Sequence, residues 1–201
     1  MDYQAMAADL LNMLDNNQCH QVDIMGHSMG GKVAMWLALN NPDRVNHLVI
    51  ADIAPVTYPN RFQTIIESMQ TLDLSAVSDR QDADLHLQKY LDNASLRAYL
   101  LQNLLKVEGQ WRWRINLQGL SSDVESIMLF PQSSSEFEKP ALFLKGEKSD
   151  YISETSESDL LNYFPLAQIE VIEETGHWLY AEKPDVFIEA MESFLPRYET
   201  D

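Results

Sequence analysis

The stretch Met25-Gly26-His27-Ser28-Met29-Gly30-Gly31 constrains this chain more than any other. It contains G-x-S-x-G, preceded by the strand candidate 21–25 and followed by the apolar helical run 30–39, which Asn40-Asn41-Pro42 brings to a stop. Where a strand turns this abruptly into a helix, a serine at the tip exposes its hydroxyl to one side of the sheet. Glycines are expected around it because the strand and helix backbones approach too closely for side chains, and the serine itself should carry strained φ/ψ. The pattern predicts Ser28 as a nucleophile and the backbone N–H of Met29 as an oxyanion donor.

The rest of the chain has the periodicity of a fold that could complete such a site. Tyr3, Met6, Ala7, Leu10, Leu11 and Leu14 recur at helical spacing, so 2–15 is an amphipathic helix. Residues 48–51, an unalternating apolar run, fit a parallel strand covered on both faces. From about 57 to 139 the texture changes. Helical patterns over 62–72, 82–91 and 95–107 follow one another without strands between them, then an extended piece at 111–115 and a loop at 131–135. Strand and helix alternate again from Pro140: strand 141–144, helix 156–163, strand 168–172 and a closing helix 185–195 begun by Pro184. Alternation of this kind means a parallel α/β sheet, here formed by 1–56 and 140–201, with 57–139 as a helical insertion.

A serine nucleophile needs a base. Of the five histidines, His20 and His47 fall at strand starts and His86 in a helical stretch, all ordinary structural positions. His27 lies inside the elbow but faces away from the reacting side, and reads as a packing or hydrogen-bonding residue. His177 follows the last strand in the loop Glu173-Glu174-Thr175-Gly176-His177-Trp178. Loops at the carboxyl edge of a parallel sheet are where such folds place chemistry, so His177 is the expected base. The acid that orients it has two candidates, Asp52 after strand 48–51 and Asp150 after strand 141–144. The later slot is the more usual one, but the position three residues after Gly146 holds Ser149 instead of an acid.

Gly26-His27-Ser28-Met29-Gly30-Gly31-Lys32, Pro42-Asp43-Arg44-Val45, Asp52-Ile53-Ala54-Pro55-Val56, Glu108-Gly109-Gln110-Trp111-Arg112-Trp113 and Gly176-His177-Trp178 together resemble the α/β-hydrolase superfamily, and within it the bacterial YbfF-type esterases. The resemblance covers nearly the whole chain. It implies an α/β-hydrolase fold with a helical cap formed by the insertion, and hydrolysis of carboxylic esters or acyl thioesters through an acyl-enzyme. It also implies that the acid stands at Asp52, with Asp150 as the alternative. The rival readings are a carbon–carbon bond hydrolase or lyase on the same fold, and a catalytically silent truncated chain. In that fold several strands and an H-G-type oxyanion loop precede the elbow, which here arrives at residue 28. On ordinary element lengths roughly 60 residues would be missing upstream, so only the fifth to eighth strands are expected. Residues 1–201 alone are then expected to be poorly soluble and nearly inactive, with one oxyanion donor absent.

Composition narrows the partners. A formal net charge of −17 and a pI near 4.5 speak against nucleic acid and anionic membrane surfaces. The single cysteine, Cys19, excludes an internal disulfide and a C-x-x-C site. No apolar run approaches 18 residues and no secretory signal is visible, which points to the cytoplasm. No cofactor or metal is implied. The expected partner is a small ester or thioester substrate, and a homodimer is left open.

Overall fold

A computed structural model of the chain describes residues 2–196. The chain divides into two units, Tyr58–Met128 and the remainder, which joins residues 2–57 to Leu129 and beyond.

The larger unit carries the sheet. Helix α1 (Tyr3–Asn16) is capped by Asp2, whose side chain accepts from Ala5 N–H at 2.8 Å, and it buries Tyr3, Ala7 and Leu14. Strand β1 (Val22–His27) runs into α2 (Met29–Asn40), and β2 (Val45–Ala51) follows. Strands β1 and β2 pair in parallel, with Gly26 opposite Ile50 and His27 opposite Ala51.

The smaller unit is where the elements depart most from expectation. Helices α3 (Gln63–Gln70), α4 (Arg80–Leu87) and α5 (Ala94–Leu101) occupy the three predicted helical regions. The third helix, however, ends at Leu101 and not at residue 107. Leu104–Val107 instead forms β3, paired antiparallel with β4 (Gln110–Trp113). The cause is the two-residue turn Glu108-Gly109, both at positive φ (52° and 82°), which matches the twist of a tight hairpin. A fourth helix, α6 (Leu117–Met128), has no counterpart among the expected elements. Met69, Leu72, Leu87, Leu100, Leu104 and Leu117 form this unit's own core, and Trp113 donates its indole N–H to the Met69 carbonyl at 3.2 Å.

The smaller compact unit runs to Met128, while the insertion expected from the sequence extends to 139. Residues 129–139 return to the larger unit because their aromatic side chains pack there. Phe130 lies against Tyr3, Trp36 and Tyr163, and Phe137 against Phe164. The Phe137 N–H also donates to the Tyr163 carbonyl at 2.8 Å.

Strand β5 (Ala141–Gly146), α7 (Glu154–Tyr163), β6 (Ala167–Ile172), the short α8 (Leu179–Glu182) and α9 (Pro184–Phe194) complete the chain. The four main strands lie in the order β1-β2-β5-β6, all parallel. Strands β2 and β5 are central and almost wholly buried, as their unbroken apolar sequences require. Strand β1 lies at one edge of this sheet among the described residues, and Met25 on it is 38% exposed. Val49, Ala51, Leu142, Leu144 and Ile172 pack with Leu179 and Phe187, so the closing helices are fastened beneath the carboxyl ends of the strands. Among the described residues no helix is long and apolar enough to cross a membrane.

Candidate active site

Ser28 sits between β1 and α2 with φ 53° and ψ −122°, a strained conformation for a residue with a side chain. Its N–H donates to the Ala51 carbonyl at 3.2 Å, which ties the turn to the neighbouring strand. The glycines around it do unequal work. A Cβ on Gly26 would stand 2.4 Å from the Gly30 carbonyl oxygen, and one on Gly31 would stand 2.6 Å from the Ile53 side chain. A Cβ on Gly30 would meet nothing within 4 Å, so the close approach expected of all three falls on Gly26 and Gly31. Met29 opens α2, where the first N–H groups have no intrahelical acceptor.

Asp52 directly follows β2, fully buried and itself at positive φ (50°). Its Oδ1 accepts from the Gly146 N–H at 3.1 Å, and its Oδ2 accepts from the Ser149 hydroxyl in a short hydrogen bond. Oδ2 also lies 2.7 Å from Nδ1 of His177. A carboxylate only accepts, so Nδ1 carries the proton and Nε2 is left as an acceptor. That Nε2 lies 3.1 Å from the Ser28 hydroxyl oxygen. Three loops at the carboxyl edge of the sheet thus bring Ser28, His177 and Asp52 into one hydrogen-bonded line. Asp150 is exposed, and it is the adjacent Ser149 that reaches the Asp52 carboxylate. The non-acidic residue three places after Gly146 was visible in the sequence as a departure, but its role as a donor to the acid was not.

The other histidines stand outside this line. His47 Nδ1 pairs with Asp23 at 2.8 Å, His86 Nε2 meets the Thr71 hydroxyl at 3.2 Å, and His20 lies in an exposed turn. His27 packs its ring 4.5 Å from that of His177 and places Nε2 2.9 Å from the His177 carbonyl oxygen. Burial pushes its pKa down, so it is neutral near pH 7 and Nε2 donates. Tyr151 stacks on His177 at 4.1 Å, a contact without a sequence signal. Among the described residues no cluster of His, Cys, Asp and Glu is arranged to hold a metal ion.

A parallel sheet with a serine on a strained strand-to-helix turn, facing a histidine in the loop after the last strand, is the architecture of one large class. The family model described as "alpha/beta hydrolase fold" matches residues 1–184, and the chain belongs to that family. Within it, the chain is 37% identical over 196 residues to Esterase YbfF of Escherichia coli, covering 97% of this chain and 75% of that protein. It is 38% identical over 199 residues to the mouse (Mus musculus) protein named sn-1-specific diacylglycerol lipase ABHD11, covering 96% of this chain and 65% of the relative. A solved structure titled "Marine microorganism esterase" superposes with a TM-score of 0.93 at 37% identity, over 97% of this chain and 78% of that one. Against the diacylglycerol lipase relatives, the chain spans 63–65% of their length.

Proposed function

We propose that this chain is the catalytic part of a serine hydrolase that cleaves carboxylic esters, with Ser28 as nucleophile, His177 as general base and Asp52 as the orienting acid. The observation that carries the reading is the line from Ser28 Oγ through His177 to Asp52, at 3.1 and 2.7 Å. Ser28 Oγ attacks the ester carbonyl carbon while its proton passes to His177 Nε2. The imidazolium is stabilised by the buried Asp52 carboxylate, and the oxyanion takes a hydrogen bond from the Met29 N–H. When the intermediate collapses, the alcohol leaves with the proton from Nε2 and an acyl-Ser28 ester remains. Water then attacks that ester and gives a proton to Nε2. Collapse releases the carboxylic acid and returns the proton to Ser28. Thioesters fit the same steps, with a thiol as the leaving group. The relatives' names, an esterase and a diacylglycerol lipase, support carboxylic esters as the substrate class.

The test is labelling with a fluorophosphonate together with a panel of p-nitrophenyl esters and acyl thioesters, run on a parent chain long enough to be active and on its Ser28→Ala variant. The expected result is labelling and turnover in the parent and a loss of ~10⁴-fold or more in the variant, because such a set of residues acts as a unit. Full labelling of Ser28→Ala overturns the assignment.

A further inference from the structure

Three main-chain polar groups of the segment 176–178 are held by side chains. The His177 carbonyl accepts from His27 Nε2 at 2.9 Å. On either side of His177, the N–H of Gly176 donates to Glu182 Oε2 at 2.9 Å and the N–H of Trp178 to Glu182 Oε1 at 3.2 Å. One residue comes from the nucleophile turn and the other from α8, so they approach the same three-residue segment from different elements. We propose that His27 and Glu182 are positioning residues that clamp the main chain of residues 176–178 and so hold the His177 imidazole in line between Asp52 and Ser28. The inference rests on the reading of those three residues as the reacting set.

The physical case is one of direction. Water would satisfy a turn's carbonyl and amides equally well, but it would not dictate where the turn sits. A side-chain clamp does, and a displacement of about 1 Å at a reacting group costs up to ~10²-fold in rate. His27 adds a second constraint, because its ring contact with His177 restricts rotation of the imidazole. The groups around His27 are His177, Trp178, Tyr180 and, further off, Asp52. A neutral His27 serves there without adding a second positive charge beside the imidazolium. Both carboxylate oxygens of Glu182 are used, one on each side of the base, which a single amide or hydroxyl acceptor would not reproduce.

The experiment compares His27→Phe, which keeps a ring and loses the donor, with His27→Gln, whose Nε2–H has the same four-bond reach from Cα. Glu182→Ala is measured beside them. Two readouts are taken well below each variant's unfolding temperature: kcat and KM on an ester, and the low-field proton resonance of the His177 Nδ1–H bonded to Asp52. Expected are a ~10- to ~100-fold fall in kcat with KM nearly unchanged for His27→Phe and Glu182→Ala, a shifted or broadened resonance in both, and recovery of both readouts in His27→Gln. An unmoved resonance overturns the clamp even if kcat falls, because the imidazole would then be in place without it. Failure of His27→Gln to recover either readout overturns the role given to the His27 donor. If the parent chain turns over no ester, the Proposed function is what fails, and the resonance still decides whether the imidazole depends on the clamp.

Discussion

Oδ2 of Asp52 lies 2.7 Å from Nδ1 of His177, a residue 125 positions further along the chain. Asp52 follows the second strand of the sheet and His177 follows the last, so the two side chains meet across the strand that separates them, β5. That strand contributes as well, since its terminal Gly146 N–H and the following Ser149 hydroxyl both donate to the same carboxylate.

The two acids separate cleanly by substitution. Asp52→Asn replaces an acceptor with a donor toward Nδ1 and favours the wrong imidazole tautomer, so kcat is expected to fall ~10³- to 10⁴-fold. Asp150→Asn, at an exposed position, is expected to cost less than about tenfold. Steady-state kinetics on a p-nitrophenyl ester decides, and the reverse pattern moves the acid to Asp150.

Ser149→Ala removes one of the two donors to Asp52 outside the imidazole and leaves the Gly146 N–H in place. A hydrogen bond to a charged group contributes about 1.5–3 kcal/mol, so a fall in kcat of ~10- to ~100-fold is expected. KM should change little. A kcat equal to the parent's would show that the hydroxyl does not tune the acid.

The elbow glycines predict three different stabilities. Gly26→Ala drives Cβ into the Gly30 carbonyl, a backbone atom that cannot rotate away, and should destabilise by more than about 3 kcal/mol or prevent folding. Gly31→Ala brings Cβ to 2.6 Å from Cγ2 of the buried Ile53 and 3.1 Å from the Gly26 carbonyl oxygen, and should cost about 1–3 kcal/mol. Gly30→Ala meets nothing and lies in α2, so a gain of about 0.5–1 kcal/mol is expected. Urea unfolding of the three variants checks the order.

Lys32, one turn beyond Ser28, is buried with its ammonium donating to the Leu129 carbonyl at 2.9 Å and lying 5.7 Å from the Tyr3 ring. Burial pushes its pKa from 10.5 down to about 7. Below pH 7 both folded and unfolded chains carry the proton, and the cost of burying the charge is felt in full. Between pH 7 and 10.5 only the unfolded chain keeps it, so this residue's contribution to stability rises with pH. The stability of the parent relative to Lys32→Met should therefore increase between pH 7 and pH 9.5 in urea unfolding. A difference that stays constant would show that Lys32 remains charged in the folded chain.

Much of the larger unit was legible in the sequence because its signals are local. The apolar face from Tyr3 to Leu14, the unbroken apolar runs at 48–51 and 141–144 and the glycines around Ser28 act within a few residues of themselves. Each produced its element within a few residues of the expected bounds. In the smaller unit the local signals competed. Leu104, Leu105 and Val107 continue a helical apolar pattern from α5, yet the Glu108-Gly109 turn and pairing with Gln110–Trp113 take them into a hairpin. Where Phe130 and Phe137 pack is illegible for a related reason, because it depends on aromatic partners far away in the chain.

By itself the sequence determined the strand–helix alternation, the serine turn and a late histidine in a strand-end loop, all properties of periodicity and turn chemistry over short spans. Apart from the family resemblance, which favoured Asp52, only the tertiary structure shows which carboxylate meets the histidine. Asp52 and Asp150 both follow strands of the same sheet, and periodicity and turn chemistry do not rank them. The strand order and register place Asp52 within 2.7 Å of His177, while the donors of the next loop, Gly146 and Ser149, turn toward that carboxylate and leave Asp150 exposed. Proximity between residues 125 apart is a product of sheet pairing, and the alternatives differ only once the whole chain has been packed.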